Sequence, residues 1–201
     1  MREMQREETM MRSAIAMLVG LALLCSGAAR AEIVSAGQNG FNIRHVAELP
    51  NFTAPVVWAA LSDIGKWWDP EHTYSGDSRN LTLEPFVRGC FCEKLSLYAA
   101  VEHASVVYAQ PAKTLRLHGA LGPLQEFGVS GSMTWQIEPA GGGSRITLSY
   151  SAGGFADRPL ADWAPRVDEV LGVQLQRLAR YITVGNAEPP KTENKTEDNK
   201  Q

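Results

Sequence analysis

The chain predicts an α+β domain, a seven-stranded curved antiparallel sheet wrapped around a long C-terminal helix, with two short helices after the first strand. Three observations carry this. Between residues 81 and 152, apolar residues recur at every second position in segments separated by turn signals, as in antiparallel strands with one covered and one wet face. From residue 160 the period changes: Leu160, Trp163, Val167, Val170, Leu171, Gln174, Leu178, Tyr181 and Ile182 follow helical spacing. No other segment is long enough to cover the apolar face of such a sheet.

The elements follow in order. Phe41, Ile43, His45, Ala47 and Leu49 share one face of a first strand. Thr53 has the character of an N-cap, with Pro55 in the first turn of the helix "APVVWAALSD". Ile64 to Trp68 reads as a second short helix that ends before Asp69-Pro70. Strands are expected at Leu81–Phe86, Cys90–Leu97, Val101–Ala109, Thr114–Ala120, Val129–Glu138 and from Arg145 to Ala152, with "PAGGGS" as a hairpin loop. Pro165 marks the first turn of the last helix, and Asp168 and Glu169 follow it near the positive end of the helix dipole.

The ends differ from the middle. Arg2, Arg6 and Arg12 precede the apolar run "AIAMLVGLALL", and small residues lead to Ala29-Arg30-Ala31, the form of a secretory signal peptide over residues 1–31. The run is too short for a comfortable membrane span, which needs ~20 apolar residues. The expected protein is therefore secreted, with a periplasmic location, and has no stable membrane span after cleavage. Residues 32–39 read as a lead-in, 40–185 as one domain, and 186–201 as a disordered polar tail. The 201 residues are 44% hydrophobic and 20% charged with a net charge of -3, which suits one soluble domain and gives no reason to expect nucleic acid.

Cys90 and Cys92 remain after cleavage. On a regular strand they lie ~6.6 Å apart on one face, near the upper limit for a disulfide. Two buried thiols behaving as small hydrophobes is the plainer reading, although an exported compartment favours oxidation.

The element order, with "VVWAALSDIGKWWDPEHTYSGD", "RGCFCEKL", "YAQPAKTLRLHG" and "VDEVLGVQLQRLARYI", resembles the START-like, or SRPBCC, superfamily and its helix-grip fold, including polyketide cyclases and homologues of the heat-shock-chaperone activator. The pairs Arg88-Gly89 and Pro111-Ala112 match that branch's Gly-Gly and Pro-Pro only in part. The resemblance implies an internal cavity for a hydrophobic small molecule or lipid. It does not extend to the activator's chaperone-binding role, because an exported domain would not meet that cytosolic partner.

Within that frame the expected cavity lining is Trp58, Trp67, Trp68, Phe91, Leu117, Trp135, Tyr150, Val167, Leu171 and Gln174. Trp67 and Trp68 are adjacent, so only one can face the cavity. Asp69, Glu71 and His72 form an Asp-Pro turn facing water rather than a metal site, and no metal or cofactor is expected. His118 and Arg116 alternate with Leu115 and Leu117 and should face water; His103 lies in the adjacent strand, within possible reach of His118. Glu84, Glu93 and Glu126 are the candidate general acids, but no catalytic residue is assigned, and no nucleophile elbow or phosphate loop occurs. The loop "LGPLQEFGVSG" is either a lid or a hairpin connection tucked on the helix. The expected function is binding without catalysis; the rivals are a cyclase or dehydrase acting in the same cavity, and a packed domain that binds another protein. A buried Glu–His or Asp–His pair at the cavity would favour the enzyme. The oligomeric state is not legible.

Overall fold

The computed structural model describes residues 30–189. All of the proposed leader except Arg30 and Ala31, and most of the polar tail, lie outside these residues. Eight strands form one antiparallel sheet: β1 (Arg30–Gly37), β2 (Gly40–Leu49), β3 (Leu81–Leu83), β4 (Cys90–Lys94), β5 (Ala100–Gln110), β6 (Thr114–His118), β7 (Gly128–Ala140) and β8 (Gly143–Phe155). Their spatial order is β1-β2-β8-β7-β6-β5-β4-β3. Two α-helices, α1 (Ala54–Ser62) and α2 (Ala164–Val184), complete the domain. Among the described residues no helix is long and apolar enough to cross a membrane.

The sheet has eight strands and not seven. The additional strand is β1, which pairs antiparallel with β2 from Arg30↔Val46 to Gly37↔Gly40. Its side chains from Glu32 onward are exposed, including Ile33 and Val34. An edge strand held by backbone hydrogen bonds without a buried face has no apolar alternation, so the sequence pattern could not announce it. Residues 64–66 form a single 3-10 turn and not a second α-helix, and β3 ends at Leu83, three residues before the expected boundary.

The two longest strands, β7 and β8, pair along their length around the Gly141-Gly142 turn, where both glycines have positive φ. Met133, Trp135 and Ile137 face Tyr150, Leu148 and Ile146 across that ladder, and all six are buried. Helix α2 lies over this concave face and presents Leu171, Gln174, Leu175 and Leu178 to it. Its C-terminus closes at Gly185 in the left-handed conformation, with the Gly185 N–H donating to the Tyr181 carbonyl.

Close approach of α2 to β2 depends on Gly172. A Cβ there would stand 3.0 Å from Cε1 of His45. The buried His45 ring sits under the helix with Nε2 2.9 Å from Asp168 Oδ1, although neither atom makes a hydrogen bond.

Gly172→Val is expected to lift this part of the helix and destabilise the domain by about 1–3 kcal/mol, the usual range for overpacking. Urea denaturation followed by circular dichroism measures it; an unchanged midpoint would show that the helix has room to spare.

Candidate functional site

The chain between α1 and β3 forms one end of the concave space. Trp67 is fully buried, packs edge-on against Trp135 with centroids 5.9 Å apart, and donates Nε1–H to the Ala60 carbonyl. Trp68 is buried as well, with its ring centroid 5.6 Å from that of Trp67, because residues 64–66 make a 3-10 turn and not the regular helix on which adjacent side chains diverge. It packs on Phe91 at 5.2 Å and donates its indole N–H to the His72 carbonyl. Asp69 then caps the turn Pro70–His72 by accepting from the Glu71 N–H.

Two side chains of α2 hold this stretch. Gln174, fully buried, accepts from the Asp69 N–H at 2.8 Å, and its Nε2 lies 3.1 Å from His72 Nδ1. Arg177 donates Nε–H to the Trp67 carbonyl at 2.9 Å. A glutamine on the apolar stripe of a helix reads as a cavity residue in sequence; here it satisfies buried backbone.

A cavity of about 390 Å3 opens between this stretch, the loop after β6 and the first turns of α2. Its apolar walls come mainly from Trp68, Leu121, Leu124, Trp163, Val167 and Leu171, and its volume falls in the range of small-molecule sites. Tyr74, His72, His103 and Arg166 add polar groups. A surface groove of about 380 Å3 between residues 62–66 and 79–83 holds no buried titratable group.

Of the residues expected to line a cavity, the structure brings Trp68, Val167 and Leu171 to this one. Trp67, Phe91, Leu117 and Trp135 surround an interstice without room for a water molecule, so they are packed core. Tyr150 is fully buried; its hydroxyl accepts from the Leu121 N–H and donates to the Gly119 carbonyl. Burial pushes its hydroxyl pKa up to about 12, against the opposing Leu121 N–H. Trp58 is half-buried against the core, and Gln174 acts as described. The loop after β6 becomes a 3-10 turn, Gly122–Glu126, with Leu124 buried.

Behind the wall at His103 lies a buried, hydrogen-bonded carboxylate–imidazole pair that the sequence did not assemble. Glu93 is 0% exposed and His103 7%, with His103 Nε2 3.0 Å from Glu93 Oε2. Glu93 also accepts from the backbone N–H groups of Tyr74 at 3.1 Å and Ser75 at 2.5 Å. The His103 ring stacks on Tyr74 and lies 4.7 Å from Phe91.

A β-bulge places it there. Phe91 pairs with Ala104 and Cys92 with Glu102, which leaves His103 as the extra residue of β5. His103 and Ala104 are consecutive and both buried, which a regular strand forbids. The bulge re-aims His103 onto the concave face. Its counterpart His118 pairs with Ser105, is exposed, and hydrogen-bonds Ser130 instead, so the two histidines do not meet. Arg116 is exposed as well, while Glu84 and Glu126 lie on the surface.

At the same bulge the Cα atoms of Cys90 and Cys92 come to 5.3 Å, and a disulfide joins them. Both residues are half-buried. This corrects the two-buried-thiol reading: the ~6.6 Å spacing assumed a regular strand, and the ladder is irregular at this point.

Charge in the pair is settled by opposing effects. Burial alone would raise the Glu93 carboxyl, but the hydrogen bonds from Ser75, Tyr74 and His103 outweigh it and hold the carboxyl below its ordinary value. Burial lowers the His103 imidazole below the usual histidine value, against the pull of Glu93. The pair therefore rests as carboxylate and neutral imidazole at neutral pH. A second pair, His45 with Asp168, lies outside the cavity lining.

Comparison with known proteins places the fold. No family model and no curated protein sequence matches the chain. Solved structures do. A conserved protein of unknown function from Enterococcus faecalis, EF2215, superposes with a TM-score of 0.52 at 15% identity, over 82% of each chain. The Aha1 dimer from Colwellia psychrerythraea gives 0.53 at 17% identity, over 72% of this chain and 97% of that one. DynU16, from the dynemicin biosynthetic locus, gives 0.51 at 14% identity, over 73% of this chain and 48% of that one. At such identities the likeness is one of fold alone.

Gln174→Ala leaves the Asp69 N–H without its acceptor and is expected to cost about 1–3 kcal/mol, read as a lower midpoint in chemical denaturation. Wild-type stability would refute the role of Gln174 as the anchor of the 68–72 stretch.

Both shifts in the Glu93–His103 pair are downward in the folded state, so the unfolded chain binds more protons and stability rises with pH. The His103 contribution is complete above about pH 6.5 and the Glu93 contribution above about pH 4.3; each is lost as pH falls through the lower folded value. The denaturation midpoint should decline from about pH 7.5 to pH 4, and the E93Q/H103Q double variant should show a shallower decline. Parallel curves would mean that other groups set the acid sensitivity.

Proposed function

We propose that this domain binds a small amphipathic molecule in the cavity between the 68–74 stretch, the 121–124 loop and the first turns of α2, and that the mature protein does so outside the cytoplasm. The observation that carries the reading is the cavity itself: about 390 Å3 with apolar walls and a few polar groups from His103, His72 and Arg166. Sites of this make-up take ligands whose apolar body is buried and whose polar groups are few and aimed. Export is supported by the leader-like first 31 residues and by a Cys90–Cys92 bridge, which suits an oxidising compartment. The fold is shared with proteins such as DynU16 and an Aha1, and a fold of this kind carries many activities, so the site and not the likeness supports the reading.

One observation favours an enzyme of the cyclase or dehydrase type in the same cavity. A carboxylate that holds one imidazole nitrogen and leaves the other free is the arrangement of an oriented general base, and Glu93–His103 has it at the cavity wall. Exchange of the acidic C–H of a β-diketone for deuterium, faster than in buffer and lost in His103→Phe, would support that second reading; exchange at the buffer rate leaves binding alone.

For binding, native mass spectrometry of protein purified gently from its own host should show a copurifying apolar mass. Val170→Trp, which fills space at the cavity wall, should reduce its retention at least tenfold with unchanged circular dichroism. A bare wild-type protein that also takes up no apolar dye would overturn the proposal.

A further inference from the structure

We propose that His103 offers the cavity a neutral hydrogen-bond acceptor, Nδ1, and that the preferred occupant is therefore an uncharged, mostly apolar molecule carrying a hydroxyl or phenol group, held less well once the ring is protonated. The inference rests on the cavity-binding reading and names the chemistry of the occupant.

The proton count on the ring decides the argument. Glu93 accepts from the Tyr74 and Ser75 N–H groups and lies 3.0 Å from His103 Nε2. An ionised carboxylate has only lone pairs to offer, so Nε2 must carry the hydrogen of that contact. A neutral imidazole then has its one free lone pair on Nδ1. Among the described residues Nδ1 makes no hydrogen bond, and it is not one of the enclosed polar atoms left unpartnered. The His103 ring lines the cavity. The acceptor therefore has room for a donor from an occupant.

The surroundings exclude the simpler occupants. A pure hydrocarbon would displace water from Nδ1 and return no hydrogen bond, a handicap of roughly tenfold. A carboxylate or sulfonate would set its charge against the Nδ1 lone pair, near the Glu93 carboxylate behind it. Arg166, the guanidinium of this wall, is exposed at the first turn of α2, where water screens it. The other titratable groups around the cavity are His72, Glu71 and Tyr74 from the turn before β3. Glu102, next to His103 on β5, is exposed, as expected for a residue on the far side of the bulge.

The test is equilibrium dialysis of the whole protein against three probes of one shape: 2-naphthol, 2-methylnaphthalene and 2-naphthalenesulfonate. The expected result at about pH 8 is 2-naphthol held at least tenfold more tightly than either of the others. As the pH falls below the ordinary histidine value and through the lower one to which burial holds His103, 2-naphthol, itself still uncharged, should lose affinity at least fivefold. His103→Phe preserves stacking on Tyr74 and Phe91 and should bring 2-naphthol to the level of 2-methylnaphthalene; the wild-type comparison stands even if that variant fails to fold. The pH step should persist in His72→Gln. Equal binding of 2-naphthol and 2-methylnaphthalene overturns this inference and leaves the cavity reading standing. Tightest binding of the sulfonate overturns it in favour of an anion at Arg166, and loss of the pH step in His72→Gln overturns it in favour of His72. No binding of any probe overturns both readings.

Discussion

Helix α2 is the longest element over the concave side of the sheet, and most of the domain follows from how far it reaches. Twenty-one residues long, it lies chiefly on β2 and β1, while α1 packs on β7 and β8. Its buried face is Leu171, Gln174, Leu175 and Leu178, a stripe one helix wide under a sheet of eight strands. The β3–β4–β5 side must be closed by other material. The chain from Ile64 to Tyr74 supplies it, with Trp67 driven into the core and Trp68 turned toward the opening.

That closure brings irregular backbone inside, and irregular backbone carries unpaired N–H and C=O groups. The buried polar side chains are where those groups are met. Gln174 takes the Asp69 N–H, Arg177 the Trp67 carbonyl, and Glu93 the N–H groups of Tyr74 and Ser75. A buried carboxylate is tolerable only with partners of this kind, and His103 completes its set. The pair at the cavity wall is thus a by-product of folding the 64–75 stretch against strands and helix. It nonetheless leaves one imidazole nitrogen free.

Much of the architecture was legible from periodicity. The inward faces of β2, β7 and β8, the short α1, and the long α2 all carry apolar patterns matched to their buried faces. β1 was not legible, because it pairs by backbone alone and buries little. The site was legible only in pieces. Glu93 was one of three glutamates in candidate strands, and nothing local distinguishes it from Glu84, which stays on the surface. His103 reads as within reach of His118 because their strands are adjacent, with no face assigned to it. A single extra residue in β5 reverses its face, and single-residue bulges leave no composition signal. Cys90 and Cys92 come within bridging distance beside the same irregularity.

The "KWWDPEHTYSG" stretch shows the division most clearly. Sequence by itself determined that Asp69-Pro70 would turn the chain and that an amphipathic C-terminal helix would cover the sheet; its expectation that only one of Trp67 and Trp68 turns inward fails, because both are buried. The turn and the helix are consequences of local geometry, which acts over a few residues. Only the tertiary structure decided which tryptophan is core and which lines the opening, that Gln174 would hold the turn from 105 positions away, and that Glu93 and His103 would meet. Those outcomes depend on register, and register is set by the packing of whole strands and helices against one another and not by any residue's neighbours in the chain.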